Sequence, residues 1–216
     1  QEKINQDKKL RFFKTHNAFG ALNNFHFTNK NNSIGCVYVV RDPRNVITSL
    51  KNFYEMNDDQ AFKWITNKNQ YIYDVNKFEK DGYSDFQFIS SWDTNFESWK
   101  VQKKIPIKII RYEDLLNQTF KVVSEVITFI NQTTDNNEKI NKNKIKNVIN
   151  SSSFSKLQDK EKNEGFSEAP KSKGGDKKIP FFNLGPKNNW KIILNDDLKD
   201  KLNNIFKKKL EELSYQ

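Results

Sequence analysis

The chain is poor in the residues that cross-link or interrupt a fold. Its 216 residues include one cysteine, one methionine, five prolines and seven glycines. A single cysteine excludes an intramolecular disulfide and is typical of a reducing compartment, so we expect a cytoplasmic protein. No apolar run approaches the ~20 residues that a membrane-spanning helix needs, so we expect no membrane partner.

Hydrophobic residues are also scarce, at 35% of the chain. The 18 phenylalanines, seven tyrosines and four tryptophans compensate, because each aromatic side chain can bury a large area. The length is that of one ordinary domain, which buries about 70% of its unfolded surface. We therefore expect a single domain over residues 1–216.

The charge balance favours anionic ligands without identifying one. The 37 basic residues exceed the 27 acidic ones and give a net charge of +10, which attracts anions. Lysine is abundant along the whole chain, however, and such a surplus is typical of a solvated surface; we expect no nucleic-acid partner. Arginine occurs only four times, and two of the four, Arg41 and Arg44, belong to one short stretch.

That stretch has the pattern of a strand, a tight turn and a helix. The five residues from Cys36 to Val40 lack polar alternation, which predicts a strand buried on both faces of a parallel sheet. Asp42 and Pro43 are residues that start helices, and helical spacing of apolar residues extends to about Met56. Arg41 is thus expected at the carboxyl edge of the sheet, where open α/β folds place ligands.

Other elements follow from the same patterns. Residues 106–111 predict a second parallel strand, with Tyr112 at its carboxyl end, so the two strands should border one crevice. We also expect a short strand over residues 10–13, a short helix near residues 18–25, and a helix starting at Ser91 with Trp92, Phe96 and Trp99 on its inner face. A last helix is expected at about residues 196–213. The charged, glycine-containing residues 158–180 predict a mobile loop.

Arg41 and Ser49 form the chemically suggestive part of this stretch. A guanidinium offers a planar fork of donors to a phosphate, and Ser49 adds a hydroxyl from the following helix. The residues alone leave a second interpretation open, in which Arg41 caps the sheet edge and pairs with Asp or Glu.

Four segments, in order along the chain, carry a resemblance to a known family. Residues 39–46 with Ser49 resemble the 3′-phosphate-binding motif of the sulfotransferases that use 3′-phosphoadenosine 5′-phosphosulfate (PAPS). Lys14-Thr15-His16 is similar to the family's Lys-Thr-His, and residues 111–116 resemble its Tyr-Glu-Asp-Leu segment. Residues 181–185 with Trp190-Lys191 resemble its carboxyl-terminal phosphate loop.

This resemblance implies a P-loop-NTPase-like α/β fold, with three α/β/α layers and a central parallel sheet. It implies PAPS as the sulfuryl donor, adenosine 3′,5′-bisphosphate (PAP) as the product, and no metal. His16 would be the general base and Lys14 would neutralise the leaving phosphate. The acceptor would be a hydroxyl or amine of a small molecule or a glycan, and a homodimer stays open.

The resemblance also implies a set of donor-binding residues and a lid formed by residues 158–180. Arg41 and Ser49 would hold the 3′-phosphate, Tyr112 and the segment Ser152, Ser153 and Phe154 would contact the adenine, and Gly185 and Lys187 would cover the phosphate.

The chain departs from the family at two places. Asn183 and Leu184 replace the Arg-Lys of the carboxyl-terminal loop, and Asn188-Asn189 replaces its Gly-Asp, which predicts weaker phosphate binding. Nothing before Lys14 matches the family's opening strand and Pro-Lys-Ser-Gly-Thr-Thr-Trp loop, so we expect residues upstream of Gln1 to be missing from the sequence.

Two other functions remain as alternatives. A nucleotide kinase-like phosphotransferase of the same architecture would need a Gly-x-x-x-x-Gly-Lys-Ser/Thr loop, which the sequence lacks. A non-catalytic binding module for anionic polymers would use the lysine-rich surface.

Overall fold

The computed structural model describes residues 9–22, 24–73 and 86–215. The strands in these parts of the chain are β1 (Ala21–Leu22), β2 (Phe25–His26), β3 (Cys36–Val40), β4 (Tyr71–Ile72), β5 (Gln87–Phe88) and β6 (Ile107–Arg111). The helices are α1 (Pro43–Phe53), α2 (Asp58–Thr66), α3 (Trp92–Val101), α4 (Tyr112–Asn117), α5 (Thr119–Thr133), α6 (Lys142–Ser151), α7 (Phe154–Glu164), α8 (Trp190–Ile193) and α9 (Asp196–Glu212), with a 3-10 turn at Gly185–Lys187.

The predicted strand, turn and helix around Arg41 form as expected. The Asp42 carboxylate accepts the backbone N–H of Arg44, and Pro43 occupies the first turn of α1, where its missing N–H costs nothing. The helix ends at Phe53, three residues earlier than predicted. Glu55 then adopts a left-handed conformation with φ of 48°, which turns the chain away from the helix axis.

Strands β3 and β6 pair in parallel, with Cys36 opposite Ile107 and Val40 opposite Arg111. Side chains alternate across the pair, so Tyr38 and Lys108 lie on opposite faces. Tyr38 contacts the Phe96 ring of α3, with centroids 6.0 Å apart. Lys108 donates to Glu125 of α5 at 2.8 Å. Helices therefore cover both faces of the parallel pair, which is the predicted three-layer order.

The prediction that β3 is buried on both faces is wrong, because Cys36, Val37 and Tyr38 are only half-buried. Val40 is buried, but Val39 is 51% exposed. Helix α5 packs against β6, and Val39 on the neighbouring strand lies beyond its cover. A continuous apolar run therefore overstated how completely this sheet is enclosed.

Two predicted elements near the start of the described chain are also wrong. Residues 10–13 form no strand, and Phe12 and Phe13 are 75% and 67% exposed. No neighbouring strand in the described residues supplies hydrogen bonds to this segment. In place of the helix expected near residues 18–25, β1 and β2 form an antiparallel hairpin, and Asn24 in its turn adopts φ of 68°, which does not occur in an α-helix.

The main core lies between helices α1, α2 and α9. Ile47 of α1, Ile65 of α2 and Leu202 of α9 are essentially inaccessible to solvent and belong to one cluster. Helix α9, predicted at residues 196–213, ends at Glu212. Its buried residues recur at helical spacing: Leu198, Leu202, Phe206 and Leu210. No helix in the described ranges is long and apolar enough to cross a membrane.

The lone cysteine lies half-buried in β3. Desolvation raises the pKa of the Cys36 thiol to about 11. The side chain is a protonated, weakly polar part of the sheet at neutral pH.

The segment predicted as a mobile loop is partly helical. Helix α7 continues to Glu164, so the prediction of a loop is wrong for residues 158–164. Gly165 ends the helix with φ of 77°. The Glu161 carboxylate explains the extension, because it accepts the backbone N–H groups of Phe181 and Phe182 at 2.7 and 2.9 Å. Mobility of the remaining residues 165–180 stays a prediction.

Residues 165–180 are fastened to the end of α1. The Ser172 hydroxyl donates to the Glu55 carboxylate at 2.8 Å, and the backbone N–H of Lys173 donates to it at 2.5 Å. Lys173 Nζ also reaches the Glu55 carbonyl at 3.2 Å. The segment is therefore held just beyond the end of the helix that begins beside Arg41.

Candidate active site

Arg41 lies where β3 ends and offers a cation with unused donors. Its guanidinium stacks over the Tyr112 ring, with 4.3 Å from Cζ to the ring centroid. Nη2 reaches the Gly185 carbonyl only at 3.4 Å, and the buried Nε has no hydrogen-bond partner among the described residues. Arg41 is half-buried, and an unfilled donor on such a guanidinium favours the binding of an anion.

Arg44, three residues later, has a different environment. It forms a buried ion pair with Asp42, with 2.8 Å between Nη2 and Oδ2, and both side chains are about 95% covered. Its Nη1 donates to Asn203 of α9 at 2.9 Å, and its guanidinium lies 3.9 Å from the Trp190 ring centroid. Arg44 therefore joins the start of α1 to the carboxyl-terminal helix, whereas no ion pair of Arg41 occurs in the described residues.

Ser49 lies one helical turn after Asn45 and faces the segment that joins the 3-10 turn to α8. Asn188 from this segment is buried, and its Nδ2 donates to the Asn45 carbonyl at 3.0 Å and to Ser49 Oγ at 3.4 Å. The Thr48 hydroxyl donates to Asn188 Oδ1 at 2.7 Å. We call Arg41, Ser49, Gly185 and Asn188 the Arg41 cradle.

Gly185 is required at its position in the cradle. Its φ is 50°, and a Cβ there would lie 2.2 Å from the Phe154 ring. Phe154, at the start of α7, therefore packs directly on the backbone that approaches Arg41. Its ring also meets Phe182, with centroids 6.1 Å apart. The structure thus brings together five residues predicted from four separate segments: Arg41, Ser49, Tyr112, Phe154 and Gly185.

Three predicted binding residues are not joined to the cradle by hydrogen bonds in the described structure. The Ser152 hydroxyl donates to the Val148 carbonyl at 2.7 Å and closes the end of α6. Ser153 occupies the cap position before α7. Lys187 is exposed in the 3-10 turn. Their assignment to a ligand stays a prediction.

His16 is held in place by its backbone. Its N–H donates to Gln87 Oε1 at 2.7 Å, and its carbonyl accepts Asn95 Nδ2 at 3.0 Å. Asn95 also accepts the Tyr38 hydroxyl at 2.8 Å, so helix α3 ties this segment to β3. The indole of Trp92, one turn earlier on α3, donates to the Arg41 carbonyl at 3.1 Å. One helix therefore fixes both the Arg41 end of the strand and the segment of residues 14–18, which we call the His16 segment.

The side chains of Lys14 and His16 are exposed, and an acidic residue outside the segment faces Lys14. Lys14 forms an exposed ion pair with Glu168. Partial desolvation, followed by the Lys14 charge, lowers the pKa of His16 below its ordinary value, while Glu168 opposes the shift. The imidazole is therefore neutral at physiological pH and can accept a proton.

Sequence reasoning treated Asn188 only as a departure from the family and did not place it in the site, and the role of Glu113 also depends on the fold. The Oε1 atom of Glu113 accepts the backbone N–H of Asp42 at 3.2 Å, which ties the end of β6 to the turn after β3. Nearby, the Tyr215 ring lies 4.7 Å from the Arg111 guanidinium, and burial, followed by the Glu113 charge, raises the pKa of this tyrosine. A contact between Asn188 and α1 spans more than 130 residues, and local patterns carry no signal for it.

Known proteins resemble this chain in sequence and in fold. The family model of the sulfotransferase domain matches residues 1–214. A flavonol sulfotransferase-like protein of Flaveria bidentis is 27% identical over 178 residues, which cover 81% of this chain and 53% of that protein. The crystal structure of mouse sulfotransferase SULT7A1 complexed with PAP has a TM-score of 0.53 and 18% identity, with 84% of this chain and 59% of that chain covered. The chain thus spans little more than half the length of these relatives.

Proposed function

Because the chain belongs to the sulfotransferase domain family, we propose that it transfers a sulfuryl group from PAPS to a hydroxyl or amine of an acceptor. The fold agrees with this family, since helices flank a parallel strand pair and the candidate residues collect at its carboxyl edge.

The observation that carries the proposal is the unfilled guanidinium of Arg41. Its buried Nε lacks a partner in the described residues, and its other contacts are a ring face and one long hydrogen bond. The Ser49 hydroxyl is exposed on the adjoining helix. A phosphate on the ribose 3′-oxygen would supply the charge and acceptor oxygens that this site leaves unmatched.

The reaction in this proposal is an in-line displacement. The acceptor oxygen or nitrogen attacks the sulfur, a bond forms between them, and the bond from sulfur to the bridging phosphate oxygen breaks. His16 takes the acceptor's proton, which its lowered pKa allows at neutral pH. PAP leaves with the electron pair of the broken bond. Lys14 neutralises the negative charge that develops on the leaving phosphate, because the bound donor takes the place of Glu168 beside Lys14.

A binding experiment tests the donor assignment. Calorimetric titration with PAP and with 5′-AMP should give much tighter binding of PAP, because only PAP carries the 3′-phosphate. Equal, weak and strongly salt-sensitive binding of the two nucleotides would contradict the proposal and favour a module that binds anionic polymers.

The remaining parts of the proposal concern the acceptor and the cellular location. A small-molecule or glycan acceptor is proposed from the family, and a cytoplasmic location from the single unpaired thiol of Cys36. Screening phenols, alcohols, amines and oligosaccharides with radiolabelled PAPS identifies the acceptor class, and absence of transfer to all of them would contradict it.

A further inference from the structure

Asn188 is the buried polar side chain that joins the carboxyl-terminal segment to α1. We propose that it is a positioning residue for the 3′-phosphate: its carboxamide holds residues 185–190 on α1 and directs the Ser49 hydroxyl toward the phosphate. The inference rests on the proposed function and names a residue that acts through Ser49.

The surroundings of Asn188 determine which way its amide points. The Asn45 carbonyl can only accept a hydrogen bond, so the NH₂ group must face it, as it does at 3.0 Å. The amide oxygen then faces the Thr48 hydroxyl at 2.7 Å, which can donate. Both ends of the carboxamide are satisfied in this orientation, and the reverse orientation would place two acceptors against each other.

In this orientation, the Ser49 hydroxyl can exchange its weak hydrogen bond to the Asn45 carbonyl for one to a phosphate oxygen. Ser49 Oγ accepts Asn188 Nδ2 at 3.4 Å, while its own hydroxyl points to the Asn45 carbonyl at 3.3 Å. That carbonyl also accepts from Asn188 at 3.0 Å, while the single proton of the Thr48 hydroxyl goes to Asn188 Oδ1. The Ser49 bond is the longer of the two side-chain bonds to the carbonyl, and a phosphate oxygen can replace it at little cost while Asn188 still donates to Ser49.

The same side chain fixes the backbone that approaches Arg41. Trp190 donates its N–H to Asn45 Oδ1 at 3.0 Å, so two contacts, from Asn188 and Trp190, hold this segment on the first turns of α1. Gly185 at its start reaches the Arg41 guanidinium. Neutral amides thus position the site in a segment where Asn183 and Leu184 stand in place of cations.

Affinities for PAP and 5′-AMP test the inference through a double-mutant cycle. Asn188→Ala and Ser49→Ala should each weaken PAP binding about tenfold and leave AMP binding within about twofold, because AMP lacks the 3′-phosphate. The double variant should lose less affinity than the sum of the two single losses, since part of the effect of Asn188 passes through Ser49. Asn188→Asp should weaken PAP binding further, because its carboxylate would repel the phosphate.

A matched control separates positioning from folding. Asn195 caps α9 by accepting the Leu198 N–H at 2.8 Å and also donates to Asp58, and neither partner is a residue of the cradle. Asn195→Ala should lower the thermal midpoint without changing the ratio of PAP to AMP affinity. Thermal midpoints of all variants are measured alongside.

The outcomes distinguish the inference from the function on which it rests. If the unaltered chain binds PAP and AMP equally, the proposed 3′-phosphate site itself is wrong. If the chain prefers PAP but Asn188→Ala keeps that preference, or if the two single losses add in the double variant, Asn188 is not a positioning residue.

Discussion

The Arg41 cradle and the His16 segment are built in opposite ways. Side chains hold the cradle, where Asn188 bonds three residues of α1 and Gly185 lies between Arg41 and Phe154. Backbone groups hold the His16 segment, and its imidazole and lysine side chains face solvent. The donor-binding part of the proposed site is thus organised in advance, whereas the reacting side chains keep rotational freedom. Substitutions should therefore change affinity in the cradle and turnover in the His16 segment.

The largest expected effect is on turnover. His16→Ala should lower the single-turnover rate of sulfuryl transfer about 10²–10⁴-fold, because it removes the group that accepts the proton. PAP affinity, measured by calorimetry, should stay unchanged. His26→Ala is the matched control, since His26 is exposed in β2 and should leave both quantities unaltered. An active His16→Ala variant would contradict the assignment of the base.

The next effect concerns stability, and it contrasts two arginines of one turn. Arg44→Ala should lower the free energy of unfolding by about 3–5 kcal/mol, because it leaves the buried Asp42 carboxylate without its partner. Chemical denaturation followed by circular dichroism measures it. A decrease in unfolding free energy of under ~1 kcal/mol would contradict the structural role of Arg44, and the two arginines would then no longer differ in their effect on stability.

Arg41→Ala should act on binding. We expect PAP affinity to fall by about 1.5–3 kcal/mol, the range for hydrogen bonds to a charged group, with the unfolding free energy nearly unchanged. Calorimetric titration of PAP and 5′-AMP checks the first quantity and denaturation the second. If Arg41→Ala destabilised the fold as Arg44→Ala does, the two arginines would share a structural role and the anion site would be lost.

The smallest effect concerns pH. The base must be neutral to accept a proton, so kcat/KM should rise with pH through the lowered pKa of His16 and then level off. Glu168→Gln removes the charge that opposes this lowering, so the rise should move to lower pH. Rate profiles of both proteins measure the direction, and Glu164→Gln, at the end of α7, is the control. A shift to higher pH would contradict the proximity of Glu168 to the imidazole.

The sequence was informative where local patterns determine structure. The apolar run before Arg41, the Asp42 cap and the spacing in α9 depend on neighbouring residues, and all three predictions are confirmed. The apolar residues 10–13 have the composition of a strand, but a strand also needs a partner, which a local pattern cannot supply. The failure at Val39 has the same origin, because burial depends on what packs against a face.

Part of the candidate site could be proposed from the sequence for the same reason. Family-like motifs located Arg41, Ser49, Tyr112, Phe154 and Gly185, which the fold collects. Asn188 was read only as the loss of a glycine, because its partners on α1 precede it by about 140 residues. The sequence also could not predict that Arg44 has a structural role and Arg41 a proposed binding role. That difference depends on the contacts of Arg44 with Asn203 and Trp190, which are distant in sequence.

The half-buried thiol in β3 has a practical consequence for measuring conformational change by site-specific labelling. With the pKa of Cys36 raised to about 11, about one molecule in ten thousand carries a thiolate at pH 7, so alkylating dyes attack it slowly. A cysteine placed on the surface would therefore react first and nearly alone. Labelling the variant Lys177→Cys with a fluorophore would report directly whether residues 165–180 lift away from Glu55 when nucleotide is added.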